Sequence, residues 1–208
     1  MEQGFVKVAA VTPKIRVADT KYNGKQICDL MENAAEQGAK IIVFPELCIT
    51  GYTCGDLFLQ EKLLREAREE LFTIAAATAE IDAIVFVGLP LAHRGKLYNA
   101  AAALCGGKVL GIVPKTYLPN YNEFYEARHF TGGMKEVVEL QLEKDWKVPF
   151  GTSQIFTCAA MPELKIAVEI CEDLWVASPP SSGYALAGAA VLCNLSASDE
   201  TIGKAEYR

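Results

Sequence analysis

Three apolar runs in this chain each lead directly into a residue that can do chemistry. Lys40–Phe44 runs into Pro45-Glu46, Lys108–Val113 into Pro114-Lys115, and Lys165–Ile170 into Cys171-Glu172-Asp173. A fourth, Ala190–Leu195, runs into Ser196-Ala197-Ser198. A carboxylate, an ammonium and a thiol brought together would make a nucleophile with its own base and its own cation. A free thiol titrates near 8.5, so only a few per cent is thiolate at neutral pH. A neighbouring carboxylate can take the proton, and a neighbouring ammonium can stabilise the thiolate and then the oxyanion of a tetrahedral intermediate. The backbone N–H of Glu172 is a second oxyanion donor. Neither His93 nor His129 is needed. Taken singly, each residue has a plainer reading: a solvated glutamate, a surface lysine, a core cysteine. Only convergence within roughly 3–4 Å at neighbouring strand ends turns them into a site.

The elements that must position them alternate strand and helix. Phe5–Val11 reads as a strand closed by Thr12-Pro13, and Tyr22–Gln37 as a helix ended by Gly38. Lys40–Phe44 is a buried strand, Asp56–Glu80 a long helix, and Ala83–Leu89 another buried strand. Leu97–Cys105 and Lys108–Val113 form a hairpin around Gly106-Gly107. Pro114–Gly133 is a long loop, of the kind that often carries function. Gln154–Cys158 and Lys165–Ile170 are strands with a Met-Pro-Glu turn between them. Pro180–Gly188 is a short helix, and Ala190–Leu195 is a final strand, with a helix beginning at Ala205. The class is α/β, or α+β with a mixed sheet, and ligands in such folds bind at strand ends and their loops.

Composition narrows the function. The 208 residues suit one domain with a sizeable core. With 20 basic and 26 acidic residues the net charge is −6, which argues against nucleic-acid binding. The longest apolar stretches, such as Ala83–Ala92, are about ten residues against the roughly 20 a spanning helix needs. Met1–Gly4 lacks the basic start of a signal peptide, so a cytoplasmic location is expected. The seven cysteines have no C-x-x-C spacing, which points to free, mostly buried thiols and no metal site. Cys54 stands apart from the others, because it falls in a loop near the presumed pocket.

Phe44-Pro45-Glu46-Leu47, Pro114-Lys115-Thr116-Tyr117-Leu118-Pro119 and Glu169-Ile170-Cys171-Glu172-Asp173-Leu174-Trp175 resemble, in order and spacing, the signature segments of the nitrilase (carbon–nitrogen hydrolase) superfamily. Three further segments narrow the match: Thr50–Phe58, Tyr121-Asn122-Glu123-Phe124-Tyr125-Glu126, and Asn194-Leu195-Ser196-Ala197-Ser198. They are similar to the N-terminal glutaminase domains of glutamine-dependent NAD synthetases, over essentially the whole chain.

The resemblance implies a four-layer αββα sandwich and a Glu–Lys–Cys triad: Glu46 as general base, Lys115 as stabilising cation, Cys171 as nucleophile. It places Tyr121, Ser198 and Lys204 in the glutamine pocket, with Tyr52, Glu172 and Trp175 as its walls. Lys204 would pair with the substrate's α-carboxylate. It also implies homo-oligomers, and no cofactor for amide hydrolysis. ATP and deamido-NAD would be used only by a separate synthetase domain. The Ser-Gly-Gly-x-Asp-Ser loop of that domain does not occur here, so this chain alone is not expected to make NAD. Residues 1–208 are therefore expected to be one glutaminase domain, incomplete after the Ser196-Ala197-Ser198 segment. Two rival readings stand beside this one: a stand-alone amidase acting on another small amide, and an inert module used for assembly.

Overall fold

The computed structural model describes residues 4–143 and 145–207; residues 1–3, which bear on the signal-peptide reading, and Arg208 lie outside the described residues. Two sheets stack face to face. In the larger, β1 (Val8–Ala10), β2 (Ile41–Val43) and β3 (Ile84–His93) run parallel, and β3, β4 (Lys96–Cys105) and β5 (Lys108–Pro114) form antiparallel hairpins. The hairpin of β6 (Val138–Glu143) and β7 (Trp146–Phe150) completes it through a parallel β5–β7 contact. The smaller sheet holds β8 (Phe156–Cys158), β9 (Met161–Ile170) and β10 (Val191–Leu195), with β9 and β10 parallel.

Both faces of the larger sheet are buried at its centre, which is why β2, β3, β4 and the end of β5 read as apolar runs. One face carries α1 (Thr20–Glu36) and α2 (Glu61–Ala77), whose Ile27, Met31, Leu71 and Ile74 pack in one core with Val85, Val87 and Leu89. Helix α1 starts where the Asp19 side chain accepts the Tyr22 amide at 3.1 Å. The other face presents Phe86, Ala101, Ala103 and Val113 to Ile166, Val168, Ile170 and Leu195 of the smaller sheet. Helix α3 (Pro180–Leu186) covers that sheet from outside, held by Ser181 N–H donating to the buried Glu169 at 2.9 Å. The order of layers is αββα, as expected.

The sequence reading misplaces three elements. The long helix expected from Asp56 begins only at Glu61: Tyr52–Leu59 is a 3₁₀ segment broken at Gly55 (φ 54°), and Gln60 is extended. The hairpin β6–β7 was not expected at all. Val138, Leu140 and Leu142 alternate with Glu139, Gln141 and Glu143, and Trp146, Val148 and Phe150 alternate with the outward Lys147 and Pro149, but the second run is short and carries a proline, which argues against a strand. Met161-Pro162-Glu163 is the start of β9, not a turn; the chain turns at Ala159-Ala160. Pro162 is tolerated there because it lies beyond the end of β10, where the β8–β9 ladder is irregular.

Candidate active site

Glu46 lies in the turn after β2. Phe44 N–H still pairs with Phe86, and the chain then folds back through Leu47 (φ 50°), whose carbonyl accepts the Gly51 amide at 2.7 Å. This turn packs flush on β3 at Gly88, where a Cβ would sit 2.3 Å from Leu47 N and 2.6 Å from Pro45 O. The absence of a side chain at position 88 thus seats Glu46, which is only 2% exposed.

Lys115 ends β5. Its N–H donates to Asn99 O at 2.7 Å, its carbonyl accepts from Gly133 N at 2.7 Å, and its side chain is fully buried. Its Nζ donates to Glu46 Oε1 at 2.6 Å and to Glu126 Oε1 at 2.7 Å. Burial by itself would lower the Lys115 pKa; the two carboxylates outweigh that and raise it, so the ammonium stays charged.

Cys171 follows β9 with φ 45°, a left-handed conformation rare for a residue with a Cβ. The turn projects its Sγ out of the sheet line. Because Leu195 of β10 is in register with Ile170 of β9, the next residues, Ser196 and Cys171, meet: Ser196 Oγ donates to the sulfur at 3.2 Å. Burial pushes the thiol up to about 11; Glu46, which also hydrogen-bonds to it, adds to the rise, and Lys115 opposes it. The free thiol is therefore neutral at physiological pH and needs a base at the moment of attack.

Asp173 ties these parts together. Its buried carboxylate accepts the amides of Thr116, Tyr117 and Ile170 at 2.8–3.1 Å, joining the end of the lysine strand to the turn of the nucleophile.

Tyr121 Oη donates to Glu172 Oε2 at 2.9 Å, and burial, then Glu172, pushes the Tyr121 phenol up to about 12. Trp175 and Ser198 line a shallow depression with Leu174, Asn194 and Ser196. Lys204, at the start of α4 (Lys204–Tyr207), pairs with Asp199 and lies 5.9 Å from the Phe124 ring centroid. Tyr52 is set deeper, its Oη donating to Glu126 Oε1 at 2.8 Å. Beside it opens a cavity of about 370 Å³ walled by Tyr52, Phe58, Phe124, Phe130 and Ala197. Cys54 does not line that cavity; it is buried, with its thiol donating to Thr50 O and Gly51 O.

Sequence reasoning missed Glu126, Asn99, Ser196 and Asp173 as site residues. A signal for Glu126 existed: a buried ammonium has three donors to satisfy, and one glutamate cannot take them all. The long loop 114–133 was the place to look for a second acceptor. Burial and the nearby Glu46 charge raise the Glu126 pKa, against the pull of Lys115.

The fold is thus an αββα sandwich with a buried Lys115–Glu46 pair beside the thiol that ends β9. The carbon-nitrogen hydrolase family matches residues 7–207, and the chain belongs to that family. The chain is 42% identical over 207 residues to the glutamine-dependent NAD(+) synthetase of Mycobacterium tuberculosis, covering 100% of this chain and 30% of the relative. Among solved structures, a glutamine-dependent NAD(+) synthetase from Cytophaga hutchinsonii superposes with TM-score 0.85 at 32% identity, over 98% of this chain and 32% of that one. An amidase from Nesterenkonia sp. shares the fold, with TM-score 0.69 and 20% identity over 96% of this chain and 68% of its own. The chain thus spans about 30% of the length of the curated synthetases it matches. No helix among the described residues is long and apolar enough to cross a membrane.

Proposed function

We propose that this chain is the glutamine amidohydrolase domain of a cytoplasmic, homo-oligomeric, glutamine-dependent NAD(+) synthetase. It supplies ammonia to a separate ligase domain that uses ATP and deamido-NAD. The observation that carries the reading is the buried contact between Lys115 Nζ and Glu46 Oε1, 2.6 Å, beside the Cys171 thiol, on which both charges act.

In this reading Cys171 Sγ attacks the side-chain amide carbon of glutamine as Glu46 takes the thiol proton. The oxyanion is held by Lys115 Nζ and the Glu172 N–H. Glu46 then protonates the nitrogen, the C–N bond breaks and ammonia leaves a glutamyl thioester on Cys171. Glu46 deprotonates a water that attacks the thioester carbon. The thiolate leaves, regains a proton and frees glutamate. The step requires no metal or cofactor. Tyr121, Glu172, Trp175 and Ser198 present polar groups to the amino-acid end of the substrate. Lys204 exchanges Asp199 for its α-carboxylate, and Tyr52 supports the inner wall through Glu126.

The test is ammonia release from L-glutamine, with mass spectrometry of the quenched enzyme. A glutamyl adduct on Cys171 supports the reading. Faster turnover of short aliphatic amides than of glutamine would overturn it in favour of a stand-alone amidase. Absence of turnover on either would leave the chain an inert module.

A further inference from the structure

Asn99, on β4, reaches the same two carboxylates as Lys115. Its Nδ2 donates to Glu46 Oε1 at 2.7 Å and lies 3.5 Å from Glu126 Oε2, while its backbone carbonyl holds the Lys115 amide. The side chain is buried, 1% exposed, and its Oδ1 has no hydrogen-bond partner among the described residues. The facing carboxylates fix the orientation of the amide, since an oxygen turned toward them would meet only acceptors. An unsatisfied buried acceptor is a cost to stability, so satisfying the fold does not explain this residue.

Counting lone pairs does. Each carboxylate oxygen has about two acceptor sites. Lys115 and Asn99 fill both sites of Glu46 Oε1. Ala197 N–H, at 3.2 Å, takes one site of Oε2 and leaves one open. We propose that Asn99 is a positioning residue of the proton-transfer step: by saturating Oε1 it leaves Oε2 as the oxygen that accepts the Cys171 proton, and it holds the carboxylate correctly rotated to do so. The inference rests on the role given to Glu46 above.

The charged and titratable groups facing Glu46 are Lys115 from the end of β5, Glu126 from the loop beyond it, Cys171 after β9 and Tyr52 from the 3₁₀ segment. Removing a neutral donor changes none of these charges. It makes the ionised carboxylate harder to form, so the acid limb of the pH profile moves up.

The experiment compares wild type, N99L (similar size, no donor), N99S (a hydroxyl donor kept) and N99D (similar shape, donor replaced by an acid). Two readouts are taken against pH: glutamine turnover, and the rate of Cys171 alkylation by iodoacetamide located by mass. Folding is checked by thermal melting. For N99L the expected result is a kcat about 10- to 100-fold lower with KM within about twofold, and an acid limb raised by about one pH unit in both readouts. N99S recovers part of each change. If N99L does not fold, N99D carries the test, with a larger upward shift expected. Folded N99L or N99D with an acid limb at the wild-type position overturns the inference. Alkylation that follows the expected order in a protein that does not turn over glutamine supports the inference and sinks the assigned substrate alone.

Discussion

The Asp173 carboxylate accepts the backbone amide of Tyr117 at 2.8 Å, a contact across 56 residues of sequence that locks the nucleophile's turn to the lysine's strand. The D173A variant leaves the Thr116, Tyr117 and Ile170 amides without that acceptor and is expected to lose about 3 kcal/mol of stability. Urea denaturation measures this; a loss under about 1 kcal/mol would show the tie to be dispensable.

The same residue gives a pH signature. Burial raises Asp173 from its ordinary 3.8 to about 6, against the three amides and Lys115, which pull it down. The folded state therefore keeps a proton that the unfolded chain releases between about pH 4 and 6. Stability from this group is present below pH 4 and lost as pH rises through 6. D173N lacks the titration. Across that window wild type should lose on the order of 2–3 kcal/mol relative to D173N, read by denaturant titration at each pH.

Lys115 neutralises two buried acids at once. K115M strands Glu46 and Glu126 without their cation, and a loss of about 3–5 kcal/mol is expected together with the loss of hydrolysis. An active, stable K115M protein would contradict the assignment of the lysine.

Glu126 works at one remove, gripping Lys115 while Tyr52 grips it. E126Q keeps an acceptor for both but removes the charge. The expected outcome is a folded protein with turnover reduced at least tenfold, because Lys115 is no longer held between two anions. Steady-state kinetics checks it, and near wild-type kcat would reduce Glu126 to packing.

Among the cysteines, the structure separates Cys171 from its siblings. Cys48 and Cys193 are buried and pushed up to about 12, whereas Cys171 sits half-buried beside Glu46 and Lys115. A glutamine-like electrophile should label Cys171, and C171S should lose turnover by at least a thousandfold. Peptide mapping that found the label chiefly on Cys54 or Cys28 would move the nucleophile elsewhere.

The strands that carry Glu46, Lys115 and Cys171 were legible in the sequence because their last residues are mostly buried, β2 and β5 in the larger sheet and β9 in the smaller, leaving apolar runs that stop at the reactive residue. The hairpin β6–β7 hid because its second strand is five residues long and carries Pro149, although the pattern alternates throughout. Helix α2 lost its first turn to Gly55, whose left-handed backbone cannot be told from composition. Asn99 and Asp173 were invisible for another reason. Each acts chiefly through partners 27 to 57 residues away, and only the closed fold brings those partners into contact. Gly88 belongs with them, since nothing in Val87-Gly88-Leu89 announces that a loop will lie against it.

Two glutamates share one lysine at the floor of this pocket. A neutral amide can enter such a place without electrostatic penalty, and an ammonium ion forming there is welcome. The carboxylate left by hydrolysis is not. It adds a lasting negative charge beside two acids that share a single cation, and like charges at this range repel strongly where water is scarce. The pocket is thus biased to eject the acid it makes, and product glutamate should inhibit far more weakly than glutamine binds.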